Sequence, residues 1–236
     1  MAANPKTLSK PLPIMHNGDH MKQPEFHFAY SSMPENYRAE LIGGVVFEPS
    51  PVSYSHARND NMFHDLITQY AKKSKLAEVA PNATVILSED DEVQPDVLLR
   101  LPEELGGRSR LVGKFLEGAP ELVAEIAYSS RAIDLHLKKQ RYAKAGVIEY
   151  LVFCIEPKKL HWFRLQEEKG IKRNGDGTFC SKVFPGLWIN EPALIEANSE
   201  RADEILAEGL NSEEFNDFKN QLQLRAYSKK RNRRRK

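Results

Sequence analysis

Glu121-Leu122-Val123-Ala124-Glu125-Ile126-Ala127 is an apolar strand with an acid set into its middle. Earlier in the chain, Gln94-Pro95-Asp96 opens a second apolar run, Val97-Leu98-Leu99. An ionised carboxylate inside an apolar strand is costly unless it is paired or bound to a metal. Two such carboxylates on neighbouring strands make an oxygen-rich pocket, the ligand set preferred by hard cations such as magnesium or manganese. The alternative is that both acids lie at strand ends and face water, and Pro-Asp is also a common turn dipeptide.

Working outward, Glu40-Leu41-Ile42-Gly43-Gly44-Val45-Val46-Phe47 reads as a hairpin turning at the two glycines and ended by Pro49 and Pro51. Residues 55–75 read as a helix. Ser55 is the N-cap candidate, and Met62, Phe63, Leu66, Ile67 and Tyr70 recur at spacings of three and four. Residues 83–87, 93–99 and 122–127 have strand character, with a charged, glycine-containing loop between the last two. Helical spacing returns over 131–145 through Ile133, Leu137, Tyr142 and Ala143, closing at Gly146. Strands are expected at 150–155 and 160–165, joined through Pro157, and a further hairpin partner at 178–184. Residues 201–227 read as helical. This order predicts an α/β or α+β fold, a mixed central β-sheet flanked by helices.

The 236 residues, 41% apolar and 28% charged, suffice for one large domain with appendages. Two cysteines are too few for a disulfide framework and lack metal-ligand spacing, so a reducing compartment fits. Cys154 lies in an apolar run and reads as a small buried hydrophobe. The longest apolar runs are about six residues, against the ~20 needed to span a bilayer. With no signal-peptide pattern at the start, a cytoplasmic protein without membrane association is expected. Residues 1–35, with five prolines, read as a flexible extension. Residues 36–192 form the expected domain, 193–228 a helical segment and 229–236 a basic tail.

The net charge of +1 hides an asymmetry. The last eight residues carry seven Lys or Arg; without those, 27 bases face 33 acids. Such a body does not bind nucleic acid through a broad basic face. Affinity for nucleic acid must come from local lysines, from metal ions in an acidic site, or from the tail residues Lys229, Lys230, Arg231, Arg233, Arg234 and Arg235. A run of like charge is expected to be solvated and mobile, and its bland reading is a solubility tail.

Several blocks in order carry a family resemblance: Tyr37-Arg38-Ala39-Glu40-Leu41-Ile42-Gly43-Gly44, Ser55-His56, Gln94-Pro95-Asp96, and Ala119-Pro120-Glu121-Leu122-Val123-Ala124-Glu125. Asp134-Leu135, Lys138, Tyr142, Ala145-Gly146-Val147, Glu149-Tyr150 and Pro185-Gly186-Leu187 follow. In these, residues 37–192 resemble the restriction endonuclease family called Uma, a branch of the PD-(D/E)XK nucleases. The resemblance implies a restriction-endonuclease-like core and magnesium- or manganese-dependent hydrolysis of phosphodiester bonds, with DNA the expected substrate. It gives Asp96 and Glu125 as metal-binding carboxylates, the Ile126 carbonyl as a further ligand and Glu40 as an additional acid. The motif's lysine would fall at position 127, which is Ala; the resemblance moves it to Lys138 on the following helix, with Lys139 as rival. His56 would contact phosphate or assist the nucleophile, and its bland reading is a polar cap. The other histidines are read as bland residues.

The chain departs from the family at Tyr128-Ser129-Ser130-Arg131 and at Leu151, neither of which removes a ligand. Cutting both strands of a duplex needs two active sites, so a homodimer is expected. The competing reading is a catalytically weak or inactive nuclease-fold module that binds nucleic acid or a protein partner. A glycosidase using Glu125 and Asp96 fits the paired carboxylates but leaves Lys138 without a role.

Overall fold

A computed structural model describes residues 15–34, 36–49, 54–167 and 169–233, without the side chains of 54–60, 169 and 229–233. The chain begins with helix α1 (Gln23–Tyr30), strands β1 (Glu40–Ile42) and β2 (Val45–Phe47), and the long helix α2 (Tyr54–Ser74). Strands β3 (Glu78–Pro81), β4 (Val85–Ser88), β5 (Asp91–Val93), β6 (Val97–Arg100), β7 (Arg110–Val112), β8 (Phe115–Glu117) and β9 (Leu122–Ala127) follow. A π-helical stretch, Ile133–Lys138, runs directly into α3 (Lys139–Ala145). Next come β10 (Glu149–Cys154), β11 (Lys159–Arg164), β12 (Lys169–Gly170), β13 (Thr178–Cys180) and β14 (Trp188–Asn190). Helices α4 (Glu191–Glu196), α5 (Ser199–Leu210) and α6 (Glu213–Arg233) complete the order.

The mixed sheets flanked by helices fulfil the expected fold class. Among the described residues the strands divide into two six-stranded sheets, β12-β11-β10-β9-β6-β3 and β2-β1-β5-β4-β8-β7, and the pair β13-β14. In the first sheet β9 and β10 run parallel, and their neighbours β6 and β11 are antiparallel to them. One face of this sheet packs on Phe63, Ile67 and Tyr70 of α2 and on α4–α6. The other packs on Ile42, Val85 and Val93 of the second sheet and on Tyr142 of α3. Strand period decides what each face receives. Leu122, Ala124 and Ile126 join the α2 core, and Val123 and Ala127 join the α3 core. Glu125 therefore faces α3, as does Asp96, two residues before Leu98 of that same core.

The strand expected over 93–99 is two strands in different sheets. Gln94 turns its N–H to the Glu40 carboxylate at 2.7 Å, and Pro95 has no N–H to offer a ladder. The chain thus crosses from the second sheet to the first at Gln94-Pro95-Asp96. The charged loop after β6 holds β7 and β8, which were not expected. The partner expected at 178–184 is confined to β13, which pairs with β14. The helix expected at 201–227 is two helices, broken at Asn211 and Ser212.

The extension expected over 1–35 is corrected within 15–34. Phe26 and Ala29 of α1 are buried with Met15, Leu41 and Val46, and His20 bridges to Val45 of the hairpin. Proline density obscured a short helix whose apolar face closes over β1 and β2. Residues 1–14 lie outside the described residues. The helical segment was expected to end at 228, and the backbone of α6 continues as helix to Arg233. The side chains of Lys229, Lys230, Arg231 and Arg233, and the whole of Arg234 and Arg235, lie outside the described residues. No helix among the described residues is long and apolar enough to cross a membrane.

Arg141 of α3 ties the helix to the second sheet. It donates to Asp91 from Nε at 2.7 Å and from Nη2 at 2.5 Å, and the Gly43 N–H adds a third donor at 2.8 Å. Gly43 and Gly44 have φ of +63° and +80°, the left-handed pair that a tight hairpin turn demands. Burial works against the Asp91 charge, but Arg141, Ser88 and Gly43 outweigh it and hold the carboxyl below its ordinary 3.8. A folded pKa below the unfolded one adds stability above the unfolded value, and that stability is lost as pH falls through the folded value. Asp91→Asn should therefore lower the unfolding free energy at pH 7 by about 2 kcal/mol. In urea titrations at stepped pH, the gap to the parent should close below 3.8; a gap of constant size would contradict this account.

Candidate active site

Strand β9 presents Glu125 to the α3 side, where it is buried. Its Oε1 accepts from Lys138 Nζ at 3.0 Å and from the Tyr142 hydroxyl at 2.8 Å. The Asp96 N–H approaches Oε2 at 3.4 Å. Beyond Ala124, the last β9 residue paired with β6, the Asp96 side chain takes over from the ladder. Its Oδ2 accepts the Ile126 N–H at 2.6 Å. An extended residue sends its N–H and C=O to the same edge, so the Ile126 carbonyl is directed to the Asp96 side of β9. Glu40, at the start of β1, brings Oε2 to within 2.8 Å of Lys138 Nζ. Asp134 of the π-helical stretch stands 3.9 Å from the same ammonium and accepts from Ser130 at 2.6 Å.

The structure thus brings Glu40, Asp96, Glu125, Ile126 and Lys138 together in a pocket of about 350 Å³. It separates the two candidate lysines. Lys139, one residue on, lies with its ammonium 4.0 Å from the Phe163 ring centroid. His56 lies in the first turns of α2, and its side chain is outside the described residues. The basic tail side chains cannot be placed against the pocket for the same reason.

Three further residues serve the site. Tyr142 holds Glu125, and Asp134 flanks Lys138. His64 of α2, a bland residue by sequence, has Nε2 at 2.5 Å from the Asp96 carbonyl and so must be the donor there. Asp134, Lys138 and Tyr142 recur every four residues, a spacing that places side chains on one helix face. That signal was present in the sequence; His64 offered none.

Burial pushes the Glu125 carboxyl well above the usual carboxylate range; Lys138 opposes this, while Asp96, Asp134 and Glu40 add to it. For Lys138, burial works to remove the charge, but Glu125, Glu40 and Asp134 overcome it and raise the pKa well above the usual lysine value. The ammonium therefore stays charged. Burial, then Glu125 and Glu40, keep the Tyr142 phenol protonated and available as a donor.

Among the described residues, five acids, Glu40, Glu48, Asp96, Glu125 and Asp134, line the pocket against two bases, Arg38 and Lys138. This excess of negative oxygen suits a hard divalent cation. Among the described residues no three histidine, cysteine or acid side chains are grouped to hold one ion. Magnesium, however, commonly binds through one or two carboxylates with water completing its shell, and Asp96 and Glu125 offer two.

The ammonium is the counterweight of the cluster. Removing it leaves buried carboxylates uncompensated, a cost of about 3–5 kcal/mol; a cation–π pair is worth about 0.5–1 kcal/mol. Lys138→Met should therefore destabilise the fold far more than Lys139→Met, as measured by urea unfolding at pH 7. Equal losses would mean that Lys138 does not balance the acids.

Residues 24–192 match the sequence model of the Uma2 family, described as "Putative restriction endonuclease". No curated protein matches the chain. A crystal structure from Anabaena variabilis, of "a putative nuclease belonging to DUF820", is similar with a TM-score of 0.56. It shares 15% identity with this chain, over 71% of this chain and 96% of its own length. At that identity the likeness is one of fold. The family match spans well over half of the sequence and includes every element that lines the pocket: the chain belongs to the Uma2 family.

Proposed function

We propose that this protein is a metal-dependent endonuclease that hydrolyses phosphodiester bonds in DNA. The observation that carries the reading is the convergence of Glu40, Glu125 and Asp134 on one buried ammonium, with Asp96 beside Glu125 in the same open acidic pocket. Asp96 and Glu125 would hold magnesium or manganese, with the Ile126 carbonyl as a further oxygen. A divalent ion there supplies a Lewis acid for the phosphoryl oxygen and lowers the pKa of water towards neutrality.

The chain's own residues do the rest. Lys138, fixed between Glu125 and Glu40, orients the attacking water and offsets charge on the phosphoryl group in the transition state. Glu40 anchors that ammonium, and Tyr142 keeps Glu125 oriented. His56 remains a candidate phosphate contact. The reaction consumes one water, breaks one P–O bond, and leaves a phosphate end and a hydroxyl end. A homodimer would supply the two sites needed to cut both strands of a duplex.

One observation favours the competing reading, a nuclease-fold module with little or no catalysis. The acids are already engaged by protein donors: Glu125 by Lys138 and Tyr142, Asp96 by Ile126. The test is cleavage of DNA by the purified chain in magnesium or manganese, with and without chelator. Cleavage that chelator abolishes, and that Asp96→Asn and Glu125→Gln remove while both variants stay folded, is the expected result. DNA retarded in a gel but uncut by the parent would establish the binding module instead.

The tail makes a separate contribution to this reading, as a tether that keeps a polyanion near an acidic body. Deleting residues 229–236 should weaken DNA binding and flatten its salt dependence, by up to about 0.9 in log–log slope for each phosphate the tail had neutralised. Cleavage at saturating DNA should stay close to the parent's. Unchanged affinity and salt slope would leave the tail without this role.

A further inference from the structure

The carboxylate pocket opens onto a rim that leads elsewhere. Strands β9 and β10 are parallel and end together, with Ala127 opposite Cys154. Strand β11 begins beside them, with Lys159 opposite Cys154. The segments 128–131, 155–157 and 158–159 are therefore neighbours along one edge of the first sheet. Tyr128 and Ser129 line both the carboxylate pocket and a shallow depression that also contains Arg131, Glu156 and Pro157. Arg131 donates to the Glu156 carbonyl at 3.3 Å, closing the floor between the two segments. At Lys158 a larger groove begins, of about 640 Å³.

That groove is basic on a body with more acids than bases. Lys158, Lys159, Lys172 and Arg173 line it, and all four are exposed. Its acid, Glu191, is buried and committed: it accepts the Leu160 N–H at 2.9 Å and pairs with Arg173. His161, in the groove wall, has its pKa lowered by burial first and then by Lys159, with Lys139 and Arg131 adding to the effect and Glu191 opposing it. At the rim, Arg131 continues the row of cations. His161 and Phe163 stack with ring centroids 6.0 Å apart and planes 10° from parallel. Tyr128 is 46% exposed at the junction.

We propose that a nucleic-acid strand engaged in the carboxylate pocket continues across Tyr128 and lies in this groove, its phosphates held by Arg131, Lys158, Lys159 and Lys172. The proposal rests on the nuclease reading of the pocket. Crossing from β9 to β11 covers two strand spacings, about 10 Å, a distance that a short run of nucleotides spans. Cations spaced along a path with aromatic rings beside it are the combination that holds a single strand without reading its sequence. An acidic protein segment would use the charges but not the continuity with the pocket.

The test is Lys158→Gln/Lys159→Gln/Lys172→Gln in the full chain, with labelled single-stranded DNA and its duplex titrated in chelator at several salt concentrations. The triple variant should melt like the parent, bind about tenfold more weakly, and show a log–log salt slope shallower by about 2–3, given 0.7–0.9 per neutralised phosphate. Arginine at the three positions should restore both. Unchanged affinity and slope overturn the groove, even where the parent cleaves DNA in magnesium and the pocket reading stands. Groove-dependent binding by a parent that never cleaves keeps the groove and discards the catalytic reading. Displacement of the DNA by polyglutamate at equal charge would assign the groove to acidic protein and overturn the proposal.

Discussion

The ammonium of Lys138 lies between Glu125 at 3.0 Å and Glu40 at 2.8 Å, with Asp134 at 3.9 Å. Charges taken out of water in this way are tolerated as a set and not singly. Much of the fold serves to bring the set together. Glu125 arrives on a strand buried on both faces, Glu40 on a hairpin of the other sheet, and Lys138 at the junction of a π-helical stretch with α3. The Arg141–Asp91 pair fixes that helix to the sheet one turn further on. Helical stretches with i→i+5 hydrogen bonding occur often at functional sites, and here one carries two of the cluster's charges.

The placement of the lysine shows how one point in space can be reached from different elements. Position 127 is a buried alanine packed against the α3 side of the sheet. A small residue there leaves the space beside Glu125 to a long side chain from the helix. The Tyr142 hydroxyl, one turn beyond Lys138, binds the same carboxylate oxygen. Strand and helix are thereby joined through a polar group inside an otherwise apolar layer. A second buried acid makes a contrast. Glu149 is held without a cation, by the Lys182 and Val183 N–H groups, the Trp162 indole and the Ser181 hydroxyl. Four neutral donors anchor the segment after β13, whereas the cluster at Glu125 relies on a charge.

Much of this was legible in the sequence, for identifiable reasons. Gly43-Gly44 between apolar runs admits little but a tight hairpin. The acid at 125 stands out because its neighbours are uniformly apolar. The family resemblance chose Lys138 over Lys139, and the structure places Lys138 and Tyr142 on the same carboxylate. Other features were not legible. A continuous apolar run from 93 to 99 says nothing about which sheet each half joins. The three residues of β7 are all exposed and show no alternation. In 15–34 the prolines dominated the reading, although Phe26 and Ala29 were available to bury. His64 serves the site through a main-chain carbonyl, a contact that residue type cannot announce.

The crossing at Gln94-Pro95-Asp96 has a consequence for how the molecule comes to be folded. The contacts that define the pocket join residues far apart in the chain: 54 positions separate Gln94 from Glu40, 50 separate Arg141 from Asp91, and 29 separate Asp96 from Glu125. Closing such loops is entropically unfavourable until both sheets have formed, and chains dominated by distant contacts reach the native state slowly. Since the strands on either side of Pro95 belong to different sheets, Glu40 meets Lys138 only when the sheets dock. A partly assembled chain would hold Asp96 and Glu125 at one location and Glu40 at another. The Glu40 side of the pocket therefore depends on both sheets being in place.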